Sequence, residues 1–303
     1  MAAAAHDHQK TLLSPKDLAR ALGVSESSVK RWVDDGALRA MRTAGGHRRI
    51  ALAEAVRFIR RSGTPVLMPE LLTGAQLPSS IASISLSTPS EAAAEELWKV
   101  LCADQAPAGR ALILSLYLAG WPLSAICDGP IRAAMTRIGE VWRHDKAGIY
   151  IEHRATDTCL QALAELRTLL PTEAADQLAL GGAPSGDPYQ LPSLMVALVL
   201  AEQGFGERNL GANTPAAVLV EAATRHRPRL VWLACSTEAK STKDLLRELD
   251  TLSETVSPWH GEIVVGGRGL PPLGKLPERV HVLGSMGELA GFAKGLRAGA
   301  PHR

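Results

Sequence analysis

No run of about 18 uncharged apolar residues occurs in the 303-residue chain, so no membrane span is expected. The opening "MAAAAHDHQK" lacks a basic stretch followed by an apolar one, which argues against a secretory leader. Cys102, Cys127, Cys159 and Cys235 are scattered without a CxxC pair. Isolated thiols fit a reducing cytoplasm better than a disulfide framework. There is no Ser-His-Asp grouping, no phosphate loop and no metal-ligand cluster. "GGRGL" is too short and comes too late to be a dinucleotide fingerprint. Hydrolysis and nucleotide use drop out, no catalytic residue is assigned, and a non-enzyme is expected.

What is present is an ordinary globular composition, 46% hydrophobic and 21% charged, with length for two or three domains. A net charge of +2 conceals an asymmetry. Residues 1–62 hold 12 Lys and Arg against 6 Asp and Glu, whereas the rest is mildly acidic. A basic head on an acidic body points to a polyanionic partner for the head.

The head, residues 1–62, reads as two short helices and a hairpin. In "LSPKDLARALGVSESSVKRWVDDGAL", Ser14 is placed to cap a first helix, with Pro15 at its first position and Leu18 and Leu22 on one face. Gly23 breaks it, Ser25 caps a second helix striped by Val29, Trp32 and Val33, and Gly36 stops it. "LRAMRTAGGHRRI" then forms a hairpin with Gly45-Gly46 at its tip, and "ALAEAVRFIRR" a third helix. This head resembles the MerR-type winged helix-turn-helix domain, most specifically in "RTAGGHRRI". Ser27, Ser28, Lys30 and Arg31 fall near the start of the second helix, where a recognition helix meets base edges and phosphates. Arg42, His47, Arg48 and Arg49 belong to the wing and are expected to grip backbone phosphates.

Residues 63–89 are rich in Pro, Ser and Gly and read as a partly extended tether. Residues 90–172 carry four stretches with i, i+3, i+4 apolar spacing, which predicts a four-helix bundle. One of them is the continuous "PLSAICDGPIRAAMTRIGEVWRHD". Residues 175–303 alternate strand candidates ("QLAL", "ERNLGA", "RLVWLAC", "EIVVGG", "RVHVLG") with helices near 193–204, 215–226, 241–254 and 286–296. That alternation predicts a doubly wound parallel sheet. The fold class is therefore multidomain α and α/β: a winged helix-turn-helix head, a four-helix bundle and a flavodoxin-like sheet.

Trp142, nine further residues and then Glu152-His153, ahead of such a sheet, resemble the cobalamin-binding module of light-responsive repressors of the CarH/LitR type. Those proteins join a MerR-type head, a helical cap bearing Trp-x9-Glu-His and a flavodoxin-like cobalamin domain in this order. The resemblance implies that Trp142, Glu152 and His153 cover the upper face of a corrin, and that Ser236, Thr237, Gly266 and Gly267 make room for its nucleotide tail. It also implies a lower ligand in the first strand-to-helix loop, from an acidic residue-x-His-x-x-Gly signature. Here that loop reads Asp187-Pro188-Tyr189-Gln190-Leu191-Pro192. The acid is kept, the histidine has become Tyr189, and the glycine has become Pro192. A neutral phenol is a poor cobalt ligand. The histidine expected directly after the Trp is also replaced, by Arg143. His144 lies one residue further on, about 100° around a helix.

Three readings of the ligand stand open: cobalamin without a protein lower ligand, another tetrapyrrole (haem or a bilin) with Tyr189 or His153 as axial ligand to its metal, or no cofactor. The expected function is a cytoplasmic DNA-binding regulator, a homo-oligomer (dimer or tetramer) on double-stranded operator DNA. Its body would sense a tetrapyrrole, or light through it as a photoreceptor. The alternatives are a ligand-independent regulator or antirepressor, and a corrinoid carrier for methyl transfer.

Overall fold

A computed structural model describes residues 12–74, 85–141, 146–170, 175–237 and 241–299. They fall into two compact units, one ending at Leu170 and the other comprising Leu123–Asp128 and the residues from 175 onward.

The first unit opens with β1 (Leu12–Leu13), α1 (Pro15–Leu22), α2 (Glu26–Asp34), β2 (Met41–Arg42), β3 (Arg48–Ala51) and α3 (Leu52–Ser62). Ser14 Oγ accepts from Asp17 N at 3.1 Å, while the Asp17 carboxylate accepts from Ser14 N at 3.3 Å. This reciprocal capping box fixes where α1 begins. Gly23 ends it at φ +67°, a left-handed conformation that glycine enters without steric cost. Ser25 Oγ then accepts from Ser28 N at 3.1 Å to start α2. The strands form an antiparallel sheet in the order β1-β3-β2. Leu18, Leu22, Val29, Leu38, Ile50 and Ile59 are buried between sheet and helices. The rings of Trp32 and Phe58, 4.8 Å apart, join α2 to α3.

The tether expected over 63–89 is, where described, not free. Leu67 N and Met68 N both donate to Ala21 O, and the short α4 (Glu70–Thr73) packs on α1. The apolar residues of "PVLMPELL" give that segment something to bury, which a Pro/Gly/Ser count does not register. Residues 75–84 lie outside the described residues. The remainder of the unit is helical: α5 (Ser90–Cys102), α6 (Ala106–Leu118), α8 (Arg132–Val141) and α9 (Lys146–Leu169). Leu97, Leu112, Leu116, Ile138, Leu163 and Leu166 fill its interior. Helix α3 rests on α6 and α9. Arg60 Nη1 donates to Tyr117 O and Trp121 O at 3.0 and 2.7 Å, with its guanidinium 4.2 Å over the Tyr117 ring.

The continuous third bundle helix is a correction. It is split into α7 (Leu123–Ile126), a π-helical turn (Cys127–Ile131) and α8. Pro130 lacks the N–H that an α-helix needs there, and the turn widens around it.

In the second unit α7 packs on α10 (Leu191–Glu202) and α13 (Met286–Ala298). The Asp128 carboxylate accepts from Met286 N and Gly287 N at 3.0 and 2.9 Å, capping α13. The sheet holds β4 (Leu178–Gly182), β5 (Gly206–Asn209), β6 (Leu230–Ala234), β7 (Glu262–Gly266) and β8 (Val280–Val282). All its pairings are parallel, in the order β5-β4-β6-β7-β8. This is the flavodoxin-like order, with its switch point between β4 and β6. Helices α11 (Ala216–His226) and α12 (Thr242–Val256) complete the winding. Every residue of β6, "LVWLA", is buried, as expected of a central strand covered on both faces.

Candidate functional site

Two sites follow from this scaffold, the nucleic-acid face of the head and the carboxyl edge of the parallel sheet. On α2, Ser27 and Ser28 both bond Ser25 Oγ at 2.8 Å, so their hydroxyls are drawn toward the helix start. Lys30 pairs with Glu26 at 2.8 Å, and Arg31 is exposed. The wing closes through Gly46 at φ +76°, with Gly46 N donating to Thr43 O at 2.8 Å and Thr43 N to His47 O at 2.9 Å. Arg42 and His47 stand exposed on it. Strand alternation separates the two arginines that follow. Arg48 shares a face with buried Ile50 and is ion-paired to Asp34 at the end of α2, its side chain only 21% exposed. Arg49 takes the opposite face, across from exposed Met41. The wing arginines expected as equals are therefore unequal.

Of the residues assigned to the upper face of the ligand, Trp142, together with Arg143 and His144, lies outside the described residues. Glu152 and His153 sit on α9. Glu152 is half-buried at the margin of the stripe continued by Ala155 and Cys159, whereas the His153 side chain is 75% exposed. Their side chains approach to 3.7 Å.

At the carboxyl edge lies Asp187, the acid kept from the resembled signature. It is only 1% exposed and points inward. One carboxylate oxygen accepts from Tyr189 N at 3.1 Å. The other accepts from Ser236 N and from Thr237 N, the latter at 3.1 Å. The β5–α11 loop joins them, with Gly186 N donating to Asn213 Oδ1 at 2.7 Å and Asn213 N to Asp187 O at 2.8 Å. Three loops are thus tied by charge-assisted and amide bonds, and the carboxylate is committed to backbone donors. Tyr189 sits beside this knot, 46% exposed. Burial, with the Asp187 and Glu248 carboxylates adding to it, pushes the neighbouring Cys235 thiol up to about 12. A thiol held protonated at neutral pH is no thiolate ligand.

Gly266 and Gly267 were expected to leave room for a ligand. In the structure their open sides are taken by the chain itself: a methyl on Gly266 would strike Leu283 O, and one on Gly267, at φ +120°, the backbone of Cys235. Ser236 Oγ is buried without a hydrogen-bond partner among the described residues, the one feature of this rim that asks for a ligand group. The fit to a corrinoid is therefore divided. The rim offers a donor, but the lower axial position holds an exposed phenol, Tyr189, in place of an imidazole.

Asp187→Asn is expected to lower the stability of this unit by about 2 kcal/mol, since an amide cannot accept at both positions and places an NH2 against a backbone donor. Urea unfolding is the check. An unchanged midpoint would mean that the carboxylate is not holding the loops.

The helix-turn-helix domain family matches residues 12–62. The HTH-type transcriptional repressor CarA of Myxococcus xanthus is 25% identical over 260 residues, 84% of this chain and 86% of that protein. Among solved structures, the Methanosarcina barkeri monomethylamine corrinoid protein superposes with a TM-score of 0.53 at 18% identity, covering 69% of this chain and 100% of its own. That likeness is one of fold. The chain thus carries a helix-turn-helix domain ahead of a module with the fold of a corrinoid protein, and along most of its length it is similar to a helix-turn-helix repressor.

Proposed function

We propose that the chain is a cytoplasmic transcriptional regulator, not an enzyme, that grips duplex operator DNA as a homo-oligomer. Its C-terminal module reads a tetrapyrrole, cobalamin before haem or a bilin, and sets oligomeric state and operator affinity. The observation that carries this reading is the joint between head and bundle. Arg60 of α3 is bonded to the end of α6, and α3 is bonded through Phe58 and Trp32 to the recognition helix. A rearrangement in the bundle therefore reaches α2 through a continuous set of packed groups. Recognition of a repeated operator by linked heads supplies affinity that one small domain lacks. The carrier role is less favoured, because it needs cobalt above an exchangeable imidazole where this chain has an exposed phenol.

The test is fluorescence anisotropy on a duplex selected by the protein from a random library. It would be run with and without hydroxocobalamin, adenosylcobalamin or haemin, in darkness and in light, beside size-exclusion chromatography. One of these conditions is expected to shift the operator Kd by about tenfold or more, with a change in oligomeric state. Constant affinity and size under all of them would leave only a constitutive DNA-binding protein.

A further inference from the structure

In open α/β sheets a ligand settles between the loops at the switch point, here the crevice beyond β4 and β6. That crevice is shut at two levels. At the rim, Asp187 of the β4–α10 loop holds Ser236 N and Thr237 N of the β6–α12 loop. Below the rim, Trp232 of β6 is 1% exposed and lies directly on Gly181 of β4. A methyl on Gly181 would run into both the Trp232 carbonyl and its indole ring. The indole N–H donates to Ser193 Oγ of α10 at 3.1 Å, and Ser193 Oγ donates to Asn209 Oδ1 at 2.8 Å. The same Asn209 oxygen accepts from Gly211 N at 3.0 Å. The space between α10 and the sheet is thus filled by a ring whose polar atom is satisfied, and the polar groups there are already engaged.

A complete cobalamin carries a lower base on a ribose phosphate, an appendage larger and more polar than an indole. To admit it, the module would have to expel Trp232, unpair Ser193 and part the Asp187 bridge together. We infer that the module takes a corrinoid only with its nucleotide outside the protein, lying on the loop rim, and so does not discriminate complete cobalamin from a corrinoid lacking the base. Trp232 is the residue that enforces this. The inference rests on the cobalamin reading given above and narrows its ligand class.

The full-length protein is titrated with hydroxocobalamin and with diaquocobinamide, followed by absorbance. The bound cobalamin is then reduced to Co(II) and examined by electron paramagnetic resonance, where a nitrogen on cobalt splits the signal. The expected result is a pair of Kd values within about threefold of each other, with the cofactor's own base still on cobalt. A preference for complete cobalamin of about 100-fold or more, with the base released, would show a threaded tail and overturn the inference alone. No spectral change with either corrinoid would overturn the cobalamin reading as well, which keeps the two failures apart.

Discussion

Trp232→Ala should lower the unfolding free energy of the C-terminal unit by about 3–5 kcal/mol, the range seen when a buried Trp or Phe is emptied. The side chain is almost wholly enclosed between α10 and two central strands, so its loss leaves a cavity with little freedom to collapse. It also strips Ser193 of a donor, in a layer without solvent to replace it. Trp232→Phe restores most of the apolar filling but not the bond, and should cost about 1–2 kcal/mol. Gly181→Ala is the reciprocal test. Because the added methyl meets the Trp232 backbone as well as its ring, the double variant Gly181→Ala with Trp232→Ala should not recover the lost stability. Urea midpoints of the four proteins decide the matter. A Trp232→Ala midpoint within 1 kcal/mol of the parent, on the scale set by core truncations, would mean that the layer is not packed on this ring.

The parts of this architecture that local chemistry controls were readable in the sequence. Ser14, Pro15 and Asp17 specify a helix start within four residues, and the reciprocal cap is there. Each of the five strand candidates overlaps an observed strand, and the alternation predicted the doubly wound sheet, since buried parallel strands are short apolar runs whatever their neighbours. What escaped was set by partners distant in sequence. The backbone donors to Asp187, Ser236 and Thr237, lie about fifty residues away, so nothing local in the loop announces the bridge. Trp232 looked like one more apolar residue of a strand, and only strand order puts it over Gly181. Pro130 was visible, yet the i, i+3, i+4 spacing around it ran on and concealed the break. Asp128 gave no hint of capping α13, which begins 158 residues later.

The wing separates two kinds of electrostatic contribution that composition alone would merge. Arg49 lies on the face of β3 opposite Arg48, across from exposed Met41, so Arg49→Ala should weaken operator binding by about 1–2 kcal/mol, roughly 5- to 30-fold. It should also reduce the slope of log K against log salt by about 0.9, the value for one phosphate contact on duplex DNA. Arg48 is different, since its charge is already answered by Asp34 and few counterions can be displaced by it. Arg48→Ala instead frees the wing from the end of α2, weakening binding by about 1 kcal/mol at most, as for a partly exposed ion pair, with the salt slope unchanged. Asp34→Asn would set Arg48 free, and the slope should then rise by about 0.9 as a new cation meets the backbone. Salt titrations of the three variants on one selected duplex distinguish these outcomes. Equal slope losses for Arg48→Ala and Arg49→Ala would mean that DNA pulls Arg48 off Asp34, making the ion pair a feature of the free head alone.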